Sequence, residues 1–458
     1  MNADQLDRTL RDVLHTWTPE SPGAPTDIAD RLVRRRKRRT ALRVTGATLG
    51  LTALAFGTVL VTGTGGDDRP PTPANHVSRE GKLRWHTTLP GKTTWDACAT
   101  GPAAVYCRGA GYDGIGVDTR TGKVVWQRKA AHPNSDSTPS GSLPGVRDGI
   151  LYSYADHAPG TSNPGTDVVA IDVESRKVLW KHELADDSRD ADSAVLFDGG
   201  VLANTPTFKS TAALDPRTGR TLWTHQWKQA DCTAAAIGGV PHLMCSPDSE
   251  KAPQRSTVVR LDPATGRPHT VATVKGPASY IGRDGDTVLL SAMAGNQKFF
   301  GDPGPIDLIR VDTGTEKVTR HRADGPRGGV IADGTMLVVR KGGTVLAWSA
   351  ADGKQLWASE SGLRLRKDPT GRDMYELASD AAVNLTDRVA YFLDPTGNVV
   401  GLDLDSGAVR WRGKVKLPER PVQGGVAPEL MTEGRHGLIG QVDGELFRID
   451  PKPTPAAP

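Results

Sequence analysis

VDTRTGKVVW (117–126), IDVESRKVLW (171–180) and LDPRTGRTLW (214–223) are one phrase written three times. An apolar residue precedes Asp; three residues later comes a small or turn-forming residue; the phrase closes on a strand ending in Trp. Working outward, the phrase continues as LDPATGRPHT (261–270), VDTGTEKVTR (311–320), WSAADGKQLW (348–357), LDLDSGAVRW (402–411) and a bare IDP (449–451). The Asp carboxylate accepts a hydrogen bond from a backbone N–H two or three residues on and fixes a type I turn. Gly in the fifth position (Gly122, Gly219, Gly266, Gly353, Gly407) takes positive φ and launches the next strand with the right twist. The Trp eight residues after Asp is a large apolar body suited to packing between repeats.

Copies recur every 37 to 54 residues, the length of one four-stranded propeller blade. A second hairpin signal lies upstream of most copies, at Asp148-Gly149, Asp198-Gly199-Gly200, Gly238-Gly239, Asp284-Gly285 and Asp333-Gly334. Two hairpins per repeat give four strands. The last copy stops at Asp450-Pro451, and its missing strand stands at the other end as Gly81-Lys82-Leu83-Arg84-Trp85. Pairing the two closes the ring and removes its open edges. The expected fold is all-β: an eight-bladed β-propeller over 81–451 closed by an N-terminal strand, with seven blades as the alternative count if copy four or five is degenerate. Trp85, Trp126, Trp180, Trp223, Trp357 and Trp411 are the expected blade-packing residues.

The repeat resembles the pyrroloquinoline-quinone-type propeller repeat, found in quinoprotein alcohol dehydrogenases and in the propeller lipoprotein of the outer-membrane barrel-assembly machinery. The resemblance spans about residues 81–451 and implies a scaffold more than an activity. The enzymes of this family carry an adjacent Cys–Cys pair against the quinone, with acidic and Asn ligands for calcium. No two cysteines are adjacent here, so no cofactor is expected; a quinone with calcium is the alternative that the resemblance leaves open.

The four cysteines read differently. Cys98 and Cys107 flank a turn at Gly101-Pro102, and Cys232 and Cys245 flank Gly238-Gly239. Symmetry about a hairpin turn sets each pair face to face across two strands, at disulfide distance. Neither pair has the spacing of a zinc site. There is no H-E-x-x-H, G-x-S-x-G or EF-hand loop, and the repeated Asp residues are turn formers rather than an acid–base array.

The N-terminal segment sets topology. Residues 44–63, VTGATLGLTALAFGTVLVTG, carry no charge and as a helix would span about 30 Å. Arg34-Arg35-Arg36-Lys37-Arg38-Arg39 precedes them and Asp67-Asp68 follows, which places residues 1–43 in the cytoplasm and the remainder outside a plasma membrane. A cleaved twin-arginine-like export signal is the rival reading; it too exports the ring. Residues 1–43 form a basic segment with helical periodicity (Leu6, Leu10, Val13, Leu14, Trp17). Residues 64–80 read as a flexible linker and 452–458 as a disordered tail. Residues 1–43 hold ten Lys/Arg against six Asp/Glu, so the remaining chain, with 47 of each, is neutral and gives no reason to expect nucleic-acid binding.

Long segments at 127–143, 154–167, 246–257, 292–307, 358–380 and 413–427 all fall on one face of a propeller, where binding loops sit on a rigid scaffold. Phe299 and Phe300, and Arg364, Arg366 and Tyr375, are the candidate partner-binding residues. The expected function is a membrane-anchored, extracytoplasmic binding or scaffolding module, monomeric in its outer part, that takes a protein or a small ligand. A quinone-dependent dehydrogenase and a transmembrane sensor are the alternatives.

Overall fold

The computed structural model describes most of residues 81–453, apart from short stretches of which the widest are 131–142, 158–164, 185–193, 294–303, 368–374 and 420–426. The expected cytoplasmic segment, membrane helix and linker (1–80) and most of the tail lie outside the described residues. Within them, no helix is long and apolar enough to cross a membrane.

The described strands form eight four-stranded antiparallel sheets and one two-stranded ribbon. Blades 1–7 occupy residues 93–129, 145–183, 194–226, 230–275, 279–325, 330–360 and 382–414. Blade 8 takes three strands from residues 429–451 and its fourth from Gly81–Thr88. The count is therefore eight, and copies four and five each lie in a full blade, at the turn between its third and fourth strands. Closure pairs Gly81 with Pro451 and Thr88 with Glu445, so both ends of the ring meet inside one sheet.

First strands of neighbouring blades touch at the ring's inner wall, as between blades 1 and 2, 3 and 4, 5 and 6, 7 and 8, and 8 and 1. Middle strands are covered on both faces by adjacent blades and so read as continuous apolar runs: Thr166–Asp172 (TDVVAID) is buried at all but its last residue. Outer strands bury one side only, as Thr221–Gln226 buries Trp223. The core is accordingly divided into layers between blades, for example Trp85, Val105, Ile115, Ile439 and Leu446 between blades 8 and 1.

The Asp turns take the form their sequence dictates. Asp118 Oδ1 accepts from the amides of Arg120 and Thr121 and from the Thr121 hydroxyl, at 3.1, 2.8 and 2.8 Å. Asp215 and Asp262 repeat the arrangement. Gly122, Gly219, Gly266, Gly353 and Gly407 have φ between 68° and 72°. In blades 2 and 5 the same position is held by Arg176 and Glu316, which adopt φ of 62° and 61° without glycine's freedom.

These turns receive the tryptophans of the preceding blades. A Cβ built on Gly219 would lie 2.5 Å from Trp180 Cγ, and on Gly266, 2.4 Å from Trp223 Cε3. Trp85 lies on Gly122 and Trp357 on Gly407 in the same way. The indole N–H of each donates to the carbonyl one residue after the turn Asp: Trp85 to Thr119, Trp180 to Pro216, Trp223 to Pro263 and Trp357 to Leu404, at 2.8–3.0 Å. Glycine is required because any side chain would occupy the ring's place. At the seam Gly81, four residues before Trp85, supplies the glycine that the truncated eighth copy lacks, and Trp411 lies against it.

A β-bulge aims each of these tryptophans. Trp180 faces Ala170 and Val178 faces Ile171, leaving Leu179 as the extra residue. The same slip leaves Val125, Leu222, Leu356, Arg410 and Arg84 unpaired in their blades. A bulge raises local twist and turns the following side chain toward the neighbouring blade.

Candidate functional site

In an up-and-down blade, the connection between second and third strands shares a face with the connection to the next blade. On that long-loop face lies the excursion between blades 6 and 7, residues 361–379, of which 361–367, 375–376 and 378–379 are described. Its first foot rests on two turns. The Ser361 hydroxyl donates to Gly343 O, and the Leu363 amide donates to Ser361 Oγ at 3.1 Å. The Arg364 amide donates to Asp394 Oδ2 at 3.0 Å. Asp394 is wholly buried, and its other contacts come from the Thr396 amide and hydroxyl and from Asn398, at 2.7–3.0 Å. The second foot is Ser379, whose amide donates to Leu393 O at 2.7 Å while its hydroxyl accepts from the Leu393 amide at 2.9 Å. Leu393-Asp394-Pro395-Thr396-Gly397-Asn398 has the composition of a repeat turn, yet it joins the second and third strands of blade 7 and so lies on the opposite face from the true copies.

On these feet stands a basic ribbon. Arg364 is exposed, Arg366 is half-buried and Lys367 exposed; Arg366 pairs with Glu376 and Lys367 with Tyr375 in a two-stranded sheet. Of the candidate partner residues, Arg364, Arg366 and Tyr375 thus share one short stretch of backbone, while Phe299 and Phe300 lie outside the described residues. On the same face, in blade 2, His157 Nδ1 lies 2.7 Å from Asp167 and Nε2 3.5 Å from Glu183. The hydrogen bond to buried Asp167 raises the imidazole pKa above its ordinary value.

The opposite face, which carries the tight turns, holds a cavity of about 980 Å³ at the seam. Its walls include Arg84, Arg435 and Arg448 with Asp387, Glu433 and Asp450. Arg84 pairs with Asp450 at 2.5 Å and Arg448 with Glu433 at 2.9 Å. The space opens where the eighth Asp turn is interrupted by the two chain ends. The bare IDP of the last copy was its only mark in the sequence.

Both cysteine pairs are cross-strand disulfides, Cys98–Cys107 in blade 1 and Cys232–Cys245 in blade 4, each with Cα atoms 4.0 Å apart. Neither joins adjacent residues. Among the described residues no group of three or more His, Cys, Asp or Glu side chains is placed to hold a metal.

Eight radial blades, Asp turns and tryptophans seated on the next blade's glycine define a propeller of the quinoprotein-like repeat class. Comparison of the chain with known families then makes the assignment narrower. The model of the family described as outer membrane protein assembly factor BamB matches residues 38–193, 115–359 and 212–427, and the chain belongs to that family. Among solved structures, BamB from Moraxella catarrhalis is similar over 81% of this chain and 100% of its own, with a TM-score of 0.51 and 14% identity, a likeness of fold. The quinohemoprotein alcohol dehydrogenase ADHIIG from Pseudomonas putida HK5 covers 82% of this chain and 78% of its own at 11% identity, with a TM-score of 0.44 too low to argue from. No curated protein matches by sequence.

Proposed function

We propose that this chain is a membrane-anchored, extracytoplasmic scaffold that holds a protein partner on its long-loop face, at the basic loop 361–379. The observation that carries this reading is the double footing of that loop. A buried carboxylate and three backbone-directed hydroxyl contacts fix where Arg364 leaves the ring and where the chain returns at Ser379, so the two feet need no ordering when a partner engages. Membership of a family described as an assembly factor favours a protein partner over a small ligand. Anchoring is supported by the uncharged stretch 44–63 behind a run of arginines, and export by the two disulfides, which persist in oxidising compartments. The cysteines do not fit a quinone bed: all four are spent on bridges between paired strands, none between neighbours in sequence.

A photo-crosslinking residue placed at Arg364 in the full chain, in its own membranes, tests the reading against one placed at Thr121 on the opposite face. Discrete protein adducts from 364 and none from 121 are expected; adducts from 121 alone, or from neither, overturn it. Reporter fusions after Asp68 and Pro458 are both expected to be active only outside the membrane.

A further inference from the structure

The repeat turns of blades 8, 1, 2 and 3 and those of blades 4 to 7 carry opposite charge, with the blade 8 turn split across the seam and Ser349 in place of Asp in blade 6. From the turn Asp to the residue after the glycine position, the first four contain eight Lys or Arg (Lys452, Lys82, Arg120, Lys123, Arg176, Lys177, Arg217, Arg220) against five acids. The corresponding positions of blades 4 to 7 contain three cations (Arg267, Lys317, Lys354) against six acids. All eight cations of the first set are exposed. Three of its five acids, Asp118, Asp172 and Asp215, direct their carboxylates to N–H and O–H donors of their own turns. Asp450 is paired with Arg84, and only Glu174 stands apart.

Beside these cations the outer strands expose aliphatic side chains. Leu83, Val124, Val125, Leu179 and Leu222 are 38–47% exposed, all within three residues of their turns, on four consecutive blades. The bulge accounts for Val125, Leu179 and Leu222: each is the extra residue whose side chain its own ladder does not cover. Cations flanking exposed Leu and Val along a continuous arc make the composition of a surface that rests in the headgroup region of an anionic bilayer. The chain enters the ring at Gly81, at the turn end of blade 8, which is one end of this arc.

We infer that the turn-side rim of blades 8, 1, 2 and 3 docks on the anionic phospholipid surface of the membrane that holds the chain. The inference rests on the anchoring proposed above and adds an orientation to it. Seventeen residues, 64–80, separate the membrane-helix segment from Gly81 and extend at most about 60 Å, so the rim stays at high effective concentration near lipid. Docking through this rim leaves loop 361–379, which belongs to the other face, directed away from the bilayer.

Leu222 in blade 3 and Leu356 in blade 6 occupy equivalent bulge positions, one on each half of the rim. An environment-sensitive fluorescent residue placed at one or the other, in the full chain reconstituted into vesicles, compares the halves directly. With lipid-borne quencher in phosphatidylcholine vesicles containing phosphatidylglycerol, the probe at 222 is expected to be quenched and the probe at 356 not. In phosphatidylcholine alone neither is. Arg217→Gln with Arg220→Gln should lower the ratio of docked to undocked molecules about thirtyfold, with the far-ultraviolet circular dichroism unchanged. Flotation of the full chain with either vesicle in high salt reports the anchor separately. Failure to float refutes the anchor and this inference with it. Flotation with equal quenching at 222 and 356, or quenching indifferent to phosphatidylglycerol, overturns the docking while leaving the anchor intact.

Discussion

The joint between blades 2 and 3 and the joint between blades 1 and 2 use the same parts with different outcomes. At the first, Trp180 lies on Gly219, its N–H reaches Pro216 O, and Tyr152 packs on the indole at 6.0 Å while its hydroxyl donates to the same carbonyl. At the second, the receiving turn carries Arg176 instead of glycine. Trp126 lies instead over Gly114 and Gly116 of its own sheet, and its buried N–H has no hydrogen-bond partner among the described residues. Between blades 4 and 5 both parts are replaced: Thr270 stands where Trp would, and Glu316 where Gly would. Blade 5, whose fourth strand has Arg320 at the Trp position, pairs without the bulge. Every seated indole has both its glycine and its bulge, whereas blade 4 keeps a bulge at Val271 without an indole and Gly353 faces Ala323 instead of one; where the glycine is replaced by Arg176, the indole lies aside.

The largest effect expected from breaking such a joint is removal of an indole. Trp180→Ala and Trp85→Ala should each cost about 3–5 kcal/mol and lower the thermal midpoint by several degrees. Trp85 belongs with Trp180 because the seam is a joint like the others, although it lies near a chain end; a silent Trp85→Ala would show that the closing strand does not lock the ring. Next come the disulfides. Replacing Cys98 and Cys107, or Cys232 and Cys245, by Ala should cost about 3 kcal/mol per pair in the chain-entropy picture, the same in blade 1 as in blade 4, because the bridge acts within a hairpin and not across a joint. Peptide mapping without reductant should recover both pairs uncrossed.

Swapping the glycine position sharpens the comparison further. Gly219→Ala puts a methyl where Trp180 lies and a side chain at positive φ, and should destabilise by about 1–3 kcal/mol. Arg176→Gly relieves positive φ where no indole is seated, and should change stability by no more than about 1 kcal/mol. Equal losses from the two would mean that the indole seat adds nothing. The smallest effect is set by pH. The Thr121 hydroxyl and amide hold Asp118 below the usual carboxylate range, and the Thr315 amide and hydroxyl do the same for Asp312; Asp352 is lowered to about 2, chiefly by Lys354 and Ser349. A depressed carboxylate pKa contributes stability that is present above the unfolded value near 4 and lost as pH falls toward the folded one. The midpoint should therefore fall between about pH 4 and pH 2, and Asp118→Asn and Asp312→Asn should blunt that fall equally, since the turn is common to joints with and without an indole.

Much of this architecture was legible because it is local. An Asp turn needs six consecutive residues, a hairpin disulfide needs symmetry about one turn, and closure needs only a strand lacking its turn at one end and a turn lacking its strand at the other. The eight-residue interval from Asp to Trp also contained the bulge, but an extra residue appears only against its partner strand. What escaped the sequence depends on distant register. Asp394 reads as one more turn former, and nothing near it announces that its second oxygen holds the Arg364 amide thirty residues away. The seam cavity is made by two chain ends that meet only in the closed ring. The charge division of the rim was written in the copies all along, but it becomes a surface only when blade 8 is placed beside blade 1.

Closure by the N-terminal strand also has a mechanical consequence. A pull applied at Gly81 meets the outer strand of blade 8 at its Pro451 end. Directed away from the sheet, such a pull peels the pairs one after another, and peeling loads a single rung at a time where shear would load all of them. Resistance is then decided by whatever guards the first rungs. Here those are Trp411 against Gly81 and the Arg84–Asp450 pair, one residue before the Trp85 indole enters blade 1. The ring's tensile strength is therefore concentrated near its first five residues, where the closing strand is tied to blades 7 and 1, and a load that got past Trp85 would still have to break the bond from the Thr87 hydroxyl to Gly122 O of blade 1.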